Sequence, residues 1–119
     1  MTNPTWVADL FAAIDRRDAD GFADLLTEDV VFTFGNAEPV HGRDAARAAV
    51  AGFFGAVAGL RHELQDTWTC GEAVVTRGLV TYTRHDDSTL TVPFADVFLT
   101  ADGRIASYQI YIDTSQLFA

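Results

Sequence analysis

Residues 89–112 read TLTVPFADVFLTADGRIASYQIYI. Two long segments rich in β-branched and aromatic residues flank Asp102-Gly103, a dipeptide that favours a tight reversal. In a strand every second side chain faces the same way. Asp96 therefore shares a face with Val92, Phe94 and Phe98, and Tyr108, Ile110 and Ile112 share one on the next strand. A carboxylate on an apolar face resists ionisation, so it must be paired, protonated or functional.

The strand pattern extends towards the N-terminus. Arg61 to Cys70 and Ala73 to His85 carry further strand signals, separated by Gly71-Glu72 and followed by Asp86-Asp87-Ser88. Before Gly59, helical spacing dominates. Asn3-Pro4 reads as a helix start, with Asn3 capping and Pro4 in the first helical position. Val7, Leu10, Phe11 and Ile14 then repeat at helical intervals, and Arg16 and Arg17 suit the last turn. Asp18 or Asp20 can cap a short second helix carrying Phe22, Leu25 and Leu26. A first strand from Val30 to Phe34 and a turn from Gly35 to Pro39 follow. A third helix begins after His41-Gly42, with Ala46, Val50, Phe53, Phe54 and Val57 as its apolar stripe and Gly59 as its stop. Three helices followed by a long meander predict one α+β domain over residues 1–119. Its antiparallel sheet is expected to be strongly curved and cone-shaped, with the three N-terminal helices packed on the concave face. Such a cone encloses a cavity unless side chains fill it, and small-molecule sites favour concave apolar places.

Composition narrows the classes of function. Of the 119 residues, 49% are apolar and 12% aromatic, with nine Phe, which suits a wide apolar interior. A net charge of −9 argues against nucleic acid or an anionic membrane as partner. No apolar run approaches the ~20 residues of a membrane span, and neither a membrane span nor a signal peptide is expected. The lone Cys70 cannot form an internal disulfide, so a reducing cytoplasm is the expected setting. His41, His62 and His85 lack ligand spacing and no Gly-rich phosphate loop is present, so neither metal nor cofactor is expected. Asp9, Asp15, Asp18, Asp20, Asp24, Glu28 and Asp29 read as a solvated helix face.

Several stretches resemble one superfamily. Phe11-Ala12-Ala13-Ile14-Asp15-Arg16-Arg17-Asp18-Ala19-Asp20-Gly21-Phe22 resembles the opening of the SnoaL-like branch of the nuclear transport factor 2-like (NTF2-like) superfamily. So do Asp29-Val30-Val31-Phe32, Val40-His41-Gly42-Arg43-Asp44-Ala45 and the turn Ala101-Asp102-Gly103-Arg104-Ile105. The resemblance implies the cone fold and a range of activities, among them ketosteroid isomerase, limonene-epoxide hydrolase, polyketide cyclase and dehydratase. Asp96 resembles the protonated Asp of the isomerase's oxyanion hole, a system used as a standard example of carboxyl tuning. The isomerase's base position falls on Phe34 and its Tyr position on Leu10. Arg77 resembles the arginine of the epoxide hydrolase, whose two Asp positions fall on Leu79 and Ile110. Neither enzyme's set is complete.

The resemblance puts Val75, Arg77, Leu79 and Thr81 on the concave side with Phe94, Asp96 and Tyr108, unless a bulge reverses a strand. Asp96, Tyr108, Arg77 and His62 are then the candidate catalytic residues. Phe34, Phe53, Phe54, Trp68, Leu79, Phe94, Phe98 and Ile110 are the expected ligand-binding residues. An Arg77 clamp would keep Asp96 ionised, whereas an open apolar pocket would keep it protonated. Three functions are compatible with the residues. One is an isomerase, cyclase, dehydratase or hydrolase using acid/base chemistry on a small hydrophobic carbonyl-bearing ligand. The second is a binding module for a hydrophobic metabolite. The third is an interaction protein that dimerises through an outer sheet face of Thr76, Gly78, Val80 and Tyr82 with Thr91, Pro93, Ala95 and Val97.

Overall fold

The computed structural model describes residues 4–118. Helix α1 spans Thr5–Asp15 and buries Val7, Leu10, Phe11, Ala13 and Ile14 along one stripe. Pro4 is its N-cap rather than its first helical residue, and Asn3 lies outside the described residues. Arg17 takes a left-handed backbone (φ 56°) that turns the chain away from α1. Asp18 then caps α2, Ala19–Ala23, by accepting the Gly21 N–H at 2.9 Å. Strand β1, Leu26–Phe34, begins four residues earlier than the sequence suggests. After the turn, the two-residue strand β2, Val40–His41, folds back on β1. Gly42, at φ 97°, supplies the bend into α3, Arg43–Ala56, which buries Ala46, Val50 and Phe54.

The remaining strands are β3, Gly59–Cys70; β4, Ala73–Thr83; β5, Thr89–Ala101; and β6, Arg104–Ile112. Together with β1 and β2 they form one six-stranded sheet in the order β2-β1-β6-β5-β4-β3. The meander is antiparallel throughout, but β1 joins β6 in parallel. The sheet curls without closing, and the three helices cover its concave side.

Register decides which side chains face inward, and it corrects the expectation for β4. Thr76 lies directly opposite Asp96, and Asp96 opposite Ile110. Directly opposed residues share a face. Val74, Thr76, Val80 and Tyr82 are buried on the concave side, which turns Val75, Arg77, Leu79 and Thr81 outward. Arg77 pairs instead with Asp66 at 2.6 Å on the outer surface. A one-residue shift reverses every side chain of a strand. Both faces of β4 are half apolar, so alternation alone does not select between them.

A bulge produces the second correction. On β3, Leu64 opposes Gly78 while Asp66 opposes Arg77, leaving Gln65 as the extra residue. His62 precedes the bulge and faces inward opposite Val80. Trp68 follows it and points outward opposite Val75, where it is 52% exposed. Gly78 is required at this point, because a Cβ there would collide with the Glu63 carbonyl oxygen.

Candidate functional site

A cavity of about 260 Å³ lies between the helices and the concave sheet. Its walls are mostly aromatic: Phe22 of α2, Phe32 and Phe34 of β1, Phe53 and Phe54 of α3, Tyr82, Phe94 and Tyr108. These rings brace one another. Phe34 and Phe53 stand 5.1 Å apart, Phe53 meets Tyr82 edge-on at 5.6 Å, and Phe32 meets Tyr108 at 5.4 Å. Exposed Ala37, Glu38 and Ala49 mark the mouth. Among the described residues no arginine lines the cavity; its charged or titratable groups there are Glu38, His62, Asp96, Tyr82 and Tyr108.

Asp96 is 1% exposed. Its Oδ2 accepts one long hydrogen bond, 3.4 Å from the Thr76 hydroxyl. Oδ1 has no hydrogen-bond partner among the described residues, while the Tyr108 hydroxyl lies near enough to the carboxyl to influence its ionisation. Burial pushes the carboxyl up to about 8, against the opposing pull of the Thr76 and Tyr108 hydroxyls. Asp96 is therefore protonated at neutral pH and carries a hydrogen-bond donor on the cavity wall. Burial also raises the Tyr108 hydroxyl well above its ordinary value, and the nearby Asp96 charge adds to this. Tyr82 is raised for the same two reasons. Both phenols stay protonated across the neutral range.

On β3, His62 forms a second polar point. Its Nδ1 lies 2.6 Å from Asp15 Oδ1, and its backbone N–H donates to Asp15 Oδ2 at 3.0 Å. The ring packs against Phe11 at 5.0 Å and Phe94 at 5.2 Å, which also meet each other at 6.0 Å. Asp15 is thus not part of a solvated acidic face. It ends α1 pointing at the sheet, and its partner lies 47 residues away, where no local pattern announces it.

Of the expected site residues, Asp96, Tyr108 and His62 line the cavity together with Phe34, Phe53, Phe54, Phe94 and Ile110. Arg77, Trp68 and Leu79 do not, for the reasons of register and bulge given above. Leu79 lines a depression on the outer side with Arg61, Thr81 and Thr91. Phe98 is fully buried behind the cavity, 4.5 Å from Tyr108 and 4.9 Å from Trp6, where it packs α1 onto the sheet. Sequence reasoning missed Tyr82, because the β4 face was assigned the wrong way round, and Glu38, which it placed only in a turn.

These features define a cone-shaped α+β protein with an aromatic cavity and a protonated carboxyl in its wall. The chain belongs to the SnoaL-like domain family, whose profile matches residues 7–108. No curated protein matches it in sequence. Among solved structures, an NTF2-like protein of unknown function from Burkholderia pseudomallei superposes with a TM-score of 0.87 at 24% identity, over 99% of this chain and 96% of that one. A Catenulispora acidiphila protein with a ketosteroid isomerase-like fold, in complex with trimethylamine, gives 0.85 at 18% identity, over 92% and 86%. An LEH-like epoxide hydrolase from M. tuberculosis gives 0.79 at 21%, over 94% and 83%. Likeness at these identities speaks for the fold alone.

Proposed function

We propose that the cavity binds a small, uncharged hydrophobic molecule bearing a carbonyl or similar oxygen, and that the protein acts on it by acid/base chemistry as an isomerase, cyclase, dehydratase or hydrolase. The observation that carries this reading is the unpartnered Oδ1 of Asp96 in an apolar wall. A protonated carboxyl there donates to a ligand oxygen and can transfer its proton as charge develops. Tyr108 and Tyr82 supply further donors, His62 supplies a group that can exchange protons, and the aromatic rings hold the ligand's apolar body. With no guanidinium on the wall, a ligand anion would meet no counter-charge. The absence of a proton-moving group at Phe34, where the isomerase base stands, supports a second reading in which the ligand is held without turnover.

Two measurements separate these readings. Carbon-detected NMR titration of Asp96 should place its pKa well above that of an ordinary carboxylate; an ordinary value would remove the donor and with it the enzyme reading. Against a panel of small cyclic and aromatic ketones, Asp96→Asn should cut turnover by 100-fold or more, in the range of general acid/base effects. Binding that survives with no turnover in either protein would select the binding module.

We also propose a homodimer through the outer face of the sheet. Trp68, Leu99 and Tyr111 are 52%, 49% and 58% exposed there and surround Val75, Val97 and Ala95. A cytoplasmic setting is supported by the lone, exposed Cys70.

A further inference from the structure

We propose that His62 Nε2 is the proton acceptor of this cavity and that Asp15 is its positioning residue. This deepens, and rests on, the acid/base reading above. The Asp15 carboxylate makes two contacts with one residue, Oδ1 to the ring Nδ1 at 2.6 Å and Oδ2 to the backbone N–H at 3.0 Å. It thereby fixes side chain and strand together. A carboxylate accepts only, so Nδ1 must carry the proton, and in the neutral imidazole Nε2 then holds the lone pair. Nε2 has no protein partner among the described residues, while His62 lines the cavity. Phe11 and Phe94, themselves 6.0 Å apart, both pack against the ring and restrict its rotation. The remaining titratable groups on the cavity are Asp96 on β5, Tyr82 on β4, Tyr108 on β6 and Glu38 at the mouth.

The position of this base constrains the ligand. His62 lies in the row of Val80 and Val92, and Asp96 lies two strands from β3 and four residues beyond Val92. At ~3.3 Å per residue the two rows are about 13 Å apart along the strands before the side chains reach inward. A molecule that touches both is therefore elongated, with its acidic C–H at the His62 end and its oxygen at the Asp96 end.

The test uses 5-nitrobenzisoxazole, a flat, uncharged probe whose ring opens when a base removes one C–H proton. The proton passes to Nε2, the C–H electron pair forms the nitrile, the N–O bond breaks, and the oxygen leaves as a cyanophenolate read by absorbance. No carbonyl chemistry is involved, so the outcome does not depend on whether Asp96 acts on a ketone. We expect saturable acceleration, lost at least tenfold in both His62→Ala and His62→Gln. Asp15→Asn should lower kcat about tenfold with KM nearly unchanged and displace the pH profile. Long-range nitrogen–proton NMR should show His62 protonated at Nδ1 and bare at Nε2, and Asp15→Asn should disturb that tautomer. The proposal is overturned by a probe that does not enter or enters without reacting, by a His62 tautomer protonated at Nε2, or by a rate that survives in the folded His62 variants. A rate that instead rises through about pH 8 and disappears in Asp96→Asn would assign the base to Asp96 and overturn it equally.

Discussion

Asp96 binds its proton more tightly in the folded chain than in the unfolded one, and this sets a pH dependence of stability. An unfolded Asp titrates near 3.9, whereas the folded carboxyl is pushed up to about 8. Below about pH 4 both states hold the proton and stability is at its fullest. Between about pH 4 and 8 the unfolded chain ionises while the folded one must keep its proton, so stability falls by ~1.4 kcal/mol per pH unit, roughly 5 kcal/mol in all. Above about pH 8 this contribution levels off. Asp96→Asn has no proton to lose, so its stability relative to the parent should rise by several kcal/mol between pH 5 and pH 9 in urea unfolding. A pH-independent difference would show that the carboxyl ionises normally. The peculiarity of Asp96 was legible because a single charge interrupts an apolar alternation. The role of Asp15 was not, because one aspartate among the seven acids between Asp9 and Asp29 carries no mark of the histidine it meets across 47 residues.

At the level of elements, the bulge in β3 and the register of β4 decide which side chains reach the cavity. Gly78→Ala would drive a Cβ into the Glu63 carbonyl and force the bulged pair apart. We expect a loss of roughly 2–4 kcal/mol in chemical denaturation, since rigid backbone has to move. Arg77→Ala gives the opposite expectation. Its ion pair with Asp66 is half exposed on the outer face, so stability should change by less than about 1 kcal/mol and turnover of any cavity ligand by less than about twofold. A large catalytic loss in that variant would contradict the outward register. Three helices and the four long strands were legible from periodicity, with ends close to those observed. The two-residue β2 and the early start of β1 at Leu26 were not, since both depend on pairing with distant chain. Trp68 was misplaced because one extra residue at Gln65 reverses all that follows, and nothing in Glu63-Leu64-Gln65-Asp66 signals it.

For the whole molecule, the open sheet exposes Trp68, Leu99 and Tyr111 on its outer face, which a second copy can cover. Sedimentation at micromolar concentration should show a dimer, and Trp68→Glu, which places a charge on the edge strand β3 of that face, should weaken it at least tenfold while the fold stays intact. A strictly monomeric parent would remove the proposed interface. By itself the sequence determined the order of elements, the α+β class and the presence of one anomalous carboxylate. These rest on local spacing, because the repeat of 3.6 or 2 residues is written along the chain. Only the tertiary structure decided that β1 lies parallel to β6, that Arg77 and Trp68 face outward while Tyr82 faces the cavity, and that Asp15 holds His62. Each of these depends on register between segments distant in the chain, and register is set by which packing buries the most apolar surface across the whole sheet at once.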